Sequence, residues 1–208
     1  LRGVPDAEAG PLRELLDVAR GEIQRLDQIL SQFLKAIRPS LPNFERRALP
    51  ELVAETLETL AAEIRDRQVV VEVEPANDLP PAWVDPGQVR QAFFNVIRNA
   101  VQAMSGGGVL RISFAASDRL AGVVFQDTGP GIPPGQMGEL FEPFRTTKPN
   151  GHGMGLMIVQ RIVRDHGGTV LVDSLPNGAR IQLNFPRDDQ RIRLLSAPKT
   201  AAAGKETP

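Results

Sequence analysis

Two glycine clusters that bracket one loop constrain this chain more than any other feature. Asp127-Thr128-Gly129-Pro130-Gly131-Ile132-Pro133 opens the loop and Gly151-His152-Gly153-Met154-Gly155-Leu156 closes it. The first cluster follows the apolar run Val123-Val124-Phe125, which reads as a buried strand, so Asp127 falls where a strand hands over to a loop. The second precedes Leu156-Met157-Ile158-Val159-Gln160-Arg161-Ile162-Val163, too continuously apolar for a solvated helix face and suited to a helix packed on a sheet. Glycines at its N-terminus expose backbone N–H groups, where unsatisfied donors and the macrodipole attract phosphate. Either cluster alone is equally an ordinary turn. Together, joined by a loop longer than usual connections and containing the apolar Leu140-Phe141-Glu142-Pro143-Phe144, they read as a nucleotide lid.

Composition narrows the alternatives. With 208 residues the chain holds one ordinary domain and a smaller appendage. Its 24 basic and 25 acidic residues nearly cancel, which removes a global electrostatic case for nucleic acid or an anionic membrane as partner. The absence of cysteine excludes disulfides and thiolate metal sites and fits a cytosolic setting. No apolar run spans a bilayer and no signal segment opens the chain. Because it begins with Leu1, we expect a fragment whose N-terminal part is missing.

Gly3, Pro5 and Gly10 mark an opening loop, and a helix is expected after Pro11. Leu12, Leu16, Ala19, Ile23, Leu26, Leu30, Phe33 and Ile37 recur at alternating spacings of four and three, a heptad seam that asks for a partner helix. Nothing else in the sequence offers a match, so the partner is upstream, on another subunit, or both; the plainer reading is an amphipathic helix lying on the main domain. Pro39 and Pro42 mark a linker. A second helix is predicted over 50–67 with Pro50 in its first turn, then a strand at Val69-Val70-Val71-Glu72-Val73 and a connection, Leu79-Pro80-Pro81-Ala82-Trp83-Val84.

The third helix opens at Asp85 as N-cap with Pro86 in first position. Gln91, Asn95 and Asn99 are four apart and form one amide stripe, beside an apolar face that includes Val89, Phe93, Val96, Ile97, Ala100 and Met104. Asparagine is a poor helix-interior residue, so two in register call for a reason. Amide oxygens beside a phosphate site suit a hard cation such as Mg²⁺; the alternative is a solvated polar stripe. Ser105-Gly106-Gly107-Gly108 ends the helix. Strands follow at 109–115 and 120–126, and, beyond the lid helix closed by His166-Gly167-Gly168, a hairpin at 169–173 and 179–185 turns at Pro176-Asn177-Gly178. From Arg187 the composition is that of a disordered tail.

Taken in order, these motifs resemble the ATP-binding domain of sensor histidine kinases, within the superfamily that includes gyrase, Hsp90 and MutL-type ATPases. Gln88-Val89-Arg90-Gln91-Ala92-Phe93-Phe94-Asn95-Val96-Ile97-Arg98-Asn99-Ala100 resembles the family's asparagine box. Asp127 to Gly131 resembles its first glycine box, Phe141-Glu142-Pro143-Phe144 its phenylalanine box and Gly151 to Leu156 its second glycine box. Thr146-Thr147-Lys148 and Gln102-Ala103-Met104 look most like the nitrogen-regulation type. Glu22-Ile23-Gln24-Arg25-Leu26 and Phe33-Leu34-Lys35-Ala36-Ile37-Arg38 resemble the second helix of the dimerisation and phosphotransfer hairpin, in agreement with the heptad seam.

The resemblance implies an α+β fold, a two-layer α/β sandwich whose mixed, mainly antiparallel sheet is covered on one face by helices and preceded by the long dimerisation helix. The implied domains are residues 1–40, the incomplete hairpin; 41–187, the catalytic ATP-binding domain; and 188–208, the tail. Asp127 would accept from the adenine amino group, with Gly129 and Gly131 letting the base approach the backbone. Asn99, assisted by Asn95, would ligate Mg²⁺, while Gly151, Gly153, Gly155 and Leu156 form the phosphate-binding helix start and Lys148 adds a nearby point charge. The intact protein would move the γ-phosphate of ATP to a histidine upstream of this chain and then to a response regulator aspartate, as a homodimer paired through the heptad helix, with this segment in the cytoplasm and a membrane anchor upstream left open. No catalytic residue is expected within the chain itself. A serine kinase or ATPase of the same superfamily, and a non-catalytic nucleotide-switched dimerisation module, are the rival readings. Two departures stand out: Ala179 occupies a position usually threonine, and the phosphoacceptor helix is missing. Only His152 and His166 remain, both expected in structural or peripheral roles, with His166 at a helix C-terminus where the dipole favours an imidazolium.

Overall fold

Strands that turn alternate residues toward one face build the frame of the computed structural model, which describes residues 16, 18–21, 23, 42–143 and 153–188. Contacts divide the chain into two compact units, Leu1–Leu41 with Glu142–Met154, and Pro42–Phe141 with Gly155–Pro208. In the first unit, Leu16, residues 18–21 and Ile23 are helical and exposed, and the rest of the heptad seam lies outside the described residues.

The second unit carries β1 (Glu45–Arg47), α1 (Leu49–Asp66), β2 (Val69–Val73), β3 (Ala82–Val84), α2 (Pro86–Ala103), β4 (Gly108–Ala116), β5 (Leu120–Asp127), a 3-10 turn (Pro134–Glu139), α3 (Gly155–Asp165), β6 (Thr169–Leu175) and β7 (Gly178–Pro186). Five strands pair in the order β2-β4-β5-β7-β6. Only β2 and β4 run parallel; the other pairs are antiparallel. The mixed, mainly antiparallel sheet is therefore the expected one.

Register explains the core. Ile112 lies opposite Phe125, which lies opposite Ile181, while Val123 faces Leu183, so the buried residues of three strands share one side of the sheet. The helices contribute Leu52, Leu60, Phe93, Val96, Ile97, Val159 and Val163 to the same core. Phe93 of α2 packs with its ring centroid 5.5 Å from Phe125 and 6.3 Å from Phe185. Burying a ring of this size contributes about 1.5–3 kcal/mol. Across the outer surface of α1 and α2, Arg90 meets Glu55 at 2.8 Å and Arg98 meets Glu63 at 3.2 Å. Such half-exposed pairs add little, typically below about 1 kcal/mol each.

Asp85 caps α2 as the sequence predicts: its Oδ1 accepts from Gln88 N–H at 2.9 Å, and Pro86 follows. Two local readings need correction. The stretch around Trp83 is a strand, not a connection, because Ala82–Val84 pairs antiparallel with Glu45–Arg47 in a separate two-stranded sheet. Three-residue strands carry no measurable alternation, and the polar Glu45-Arg46-Arg47 gives no apolar signal at all.

His166 is the second correction. It is buried, with Nδ1 2.7 Å from the Ile162 carbonyl and Nε2 3.0 Å from the Asp85 N–H. A carbonyl only accepts and an amide N–H only donates, so Nδ1 carries the proton and the ring is neutral. Phe44 and Phe185 pack edge-on at 5.0 and 5.8 Å. Burial holds its pKa below 6.5, against opposing pulls from the Ile162 carbonyl and the charges of Asp85 and Asp165. The helix dipole is overridden by desolvation. Because the folded form resists protonation, His166 contributes stability above pH 6.5 that is lost as pH falls toward its folded pKa. Thermal melts should show a fall in Tm below pH 6.5 that is flattened in His166→Leu, a variant less stable at pH 8 because it strands the Asp85 N–H. An equally steep fall in both proteins would remove His166 as its origin.

Candidate functional site

Asp127 ends β5 on the same parity as Val123 and Phe125, so the pleat turns its carboxylate toward the helix-covered face, where it is 9% exposed. Leu110 lies opposite it on β4. Its Oδ1 accepts from Gly129 N–H at 2.9 Å and from Ala179 N–H at 3.2 Å. Burial raises the pKa from the ordinary carboxylate value, and these two donors pull it back. The carboxylate thus joins the loop after β5 to the first residues of β7. Ala179 takes part through its backbone, which alanine provides as well as threonine would.

The loop backbone lies hard against its surroundings. Gly131 has φ 74, and a Cβ there would stand 3.0 Å from the carbonyls of both Leu175 and Gly178. Gly178 has φ 120, and a Cβ there would overlap the carbonyl oxygen of Asp127. No other residue type fits that position without moving β5. Thr128 turns aside: its Oγ1 accepts from Val109 N–H at 2.9 Å and lies 3.6 Å from Met104 Sδ.

The amide stripe of α2 runs along this site. Asn95, Asn99 and Ala103 are four residues apart on one face, a rise of about 12 Å from first to last. At one end, a Cβ on Gly129 would stand 3.3 Å from Ala103 Cβ and 2.9 Å from Asp127 Oδ1. At the other, a Cβ on Gly155 would stand 3.3 Å from Asn95 Oδ1 and 3.6 Å from Asn99 Nδ2. Asn95 Nδ2 donates to Gln91 O at 2.9 Å, which orients the amide and leaves Oδ1 turned to the Gly155 side. Because α3 begins at Gly155, its first-turn N–H groups have no intrahelical acceptor and open beside this oxygen. One helix face therefore links a buried carboxylate to a helix N-terminus.

The donor set suits a hard divalent ion shared with phosphate: amide oxygens on a rigid helix, no thiolate in the chain, and no cluster of three His, Asp or Glu among the described residues to offer a competing cage. Of the expected site residues, Asn95, Asn99, Asp127, Gly129, Gly131 and Gly155 fall along this line. Leu156 is half-buried and packs against the core. Gly153 has φ 63 and belongs to the first unit. Lys148, Gly151 and His152 lie outside the described residues. Ala103, Thr128, Ser174 and the packing role of Gly178 were not anticipated. Ala103 could have been found by extending the amide stripe one more turn, whereas the others depend on contacts between distant strands.

A mixed sheet with helices on one side, a buried strand-end carboxylate and a helix N-terminus facing an asparagine stripe define an ATP-binding α/β sandwich. Residues 84–189 match the family described as histidine kinase-, DNA gyrase B-, and HSP90-like ATPase, and the chain belongs to that family. It is 34% identical over 180 residues to sensor histidine kinase ZraS of Escherichia coli O157:H7, covering 85% of this chain and 39% of that protein. It is 30% identical over 159 residues to sporulation kinase E of Bacillus subtilis strain 168, covering 76% of this chain and 22% of that one. The catalytic domain of histidine kinase ThkA superposes with a TM-score of 0.65 at 27% identity, covering 70% of this chain and 96% of that structure. The chain thus spans between about a fifth and two fifths of the two curated relatives. These are the relations of a sensor histidine kinase catalytic domain; the nitrogen-regulation subtype is not singled out.

Proposed function

We propose that this chain is the ATP-binding catalytic region of a sensor histidine kinase that transfers the γ-phosphate of ATP to a histidine on an upstream helix, and thence to an aspartate of a response regulator. The observation that carries the reading is the continuous line from Asp127 through Ala103, Asn99 and Asn95 to Gly155, which matches the two ends of a nucleotide. Asp127 accepts from the adenine amino group, Gly129 and Gly131 give the base room, and Asn95 and Asn99 offer amide oxygens to Mg²⁺. Gly155 and Leu156 at the start of α3 offer backbone donors for the phosphates, a role in which the family resemblance would also enlist Gly151, Gly153 and Lys148. Mg²⁺ supplies charge neutralisation on the phosphates, and the protein supplies position, which is most of what phosphoryl transfer needs.

Residues 1–40 would be the second helix of the dimerisation hairpin, 41–187 the catalytic domain and 188–208 a tail, with pairing through the heptad seam of a second chain in the cytoplasm. His166 is no candidate acceptor, since both its nitrogens are engaged and the ring is buried. The chain alone should bind Mg-ATP without becoming phosphorylated.

Calorimetric titration with ATP, with and without Mg²⁺, tests this. Asn99→Ala should cost about tenfold or more in Mg-dependent affinity while sparing the metal-free component. Absence of binding by the wild type, or labelled phosphate stably attached to a histidine of this chain, would overturn the reading.

A further inference from the structure

A side chain outside the nucleotide line clamps the loop that carries it. Ser174, near the end of β6, sets its hydroxyl between the two backbone groups of Ile132: Oγ accepts from Ile132 N–H at 3.0 Å and donates to the Ile132 carbonyl at 2.9 Å. One hydroxyl thereby satisfies both polar groups of a residue 42 positions away, as a paired strand would. A Cβ on the neighbouring Gly131 would stand 3.2 Å from the same Oγ. At the other end of the loop, Asp127 Oδ1 holds Ala179 N–H at the start of β7. Residues 127–132 are therefore tied to the β6–β7 hairpin at both ends.

We propose that Ser174 is a positioning residue for nucleotide binding, clamping Ile132 so that the Gly129–Gly131 turn and Asp127 hold their binding geometry before the ligand arrives. The proposal rests on the nucleotide reading above. Its physical basis is population: a loop that visits the competent geometry only part of the time weakens apparent affinity by that fraction, with every ligand contact unchanged. Gly129 and Gly131 make the segment permissive, and Ile132 lacks a ladder partner of its own, so the hydroxyl is what limits the alternatives.

The test titrates Mg-ADP calorimetrically into the 208-residue chain and its Ser174→Ala and Ser174→Thr variants, with melts in the absence of nucleotide. Ser174→Ala should weaken binding about five- to tenfold and leave Tm within about 2 °C, because the hydroxyl and its two hydrogen bonds are exposed. Ser174→Thr keeps the hydroxyl and should bind within about twofold of wild type. Hydrogen exchange at the Ile132 amide should be faster in the alanine variant and restored by threonine. Unchanged affinity in Ser174→Ala overturns the proposal, as does a loss shared by both variants in step with a fall in Tm. A wild type that does not bind Mg-ADP removes the nucleotide reading itself and this proposal with it.

Discussion

Asp127→Asn should abolish ATP binding, with affinity lowered about 100-fold or more, while the protein melts at the same temperature as wild type or higher at pH 7. The two halves of this result have different origins. Oδ1 already serves Gly129 and Ala179, so an amide would keep its oxygen there and place Nδ2 where Oδ2 stands. A donor then faces the adenine amino group, also a donor. Replacing a charge-assisted bond by two opposed donors costs the bond and leaves both groups unsatisfied, together about 3 kcal/mol or more. Stability moves the other way, because burial raises the Asp127 pKa. A carboxyl whose folded pKa lies above its unfolded value destabilises the fold when ionised, so stability is lost as pH rises through the folded pKa, and a neutral amide avoids that loss. The advantage of the variant should shrink as pH falls toward 3.8. Calorimetry with ATP and melts from pH 4 to 8 measure both halves. Retained affinity would mean that Asp127 does not read the base; a large fall in Tm would mean that the ionised carboxylate is a structural necessity.

Gly178→Ala should be among the most damaging glycine-to-alanine changes at the described residues. The added carbon would overlap the Asp127 carbonyl oxygen, and the backbone at φ 120 is one that L side chains rarely adopt. Neither strand can yield easily, since Gln126 is paired with Arg180 in the ladder just inside this point. We expect about 3 kcal/mol or more of lost stability together with loss of nucleotide binding, because the strand end that carries Asp127 must move. Gly135→Ala, with nothing within 4 Å of the added carbon, should stay within about 0.5 kcal/mol of wild type. Chemical denaturation of the two variants side by side decides the matter. A Gly178→Ala protein as stable as the Gly135→Ala protein would show that β5 and β7 do not approach as described.

Much of the architecture is legible along the chain because it is written in short-range patterns. The Asp85-Pro86 cap, the 3.6-residue spacing through Phe93 and Ile97, and the Val123–Phe125 run each refer to neighbours within a few residues, where propensity and periodicity operate. The Asn95–Asn99 stripe and the paired glycine clusters share that local character. What fails is equally specific. The β1–β3 pair joins segments nearly forty residues apart that have no apolar alternation, and the charge expected at His166 fails because its neighbours in sequence suggest a dipole while its neighbours in space impose burial.

The sequence by itself determined the long helices and the strands of the five-stranded sheet, where Asp127 ends its strand, and which face of α2 carries the amides, because each follows from backbone geometry and spacing within one element. Only the tertiary structure decided that Gly178 must be glycine, that Ser174 holds Ile132, and that His166 is neutral between Asp85 and Ile162. Those depend on atoms brought within a few ångströms by strand register and helix packing. Hydrogen bonding, desolvation and steric exclusion act at that range, whatever the separation along the chain.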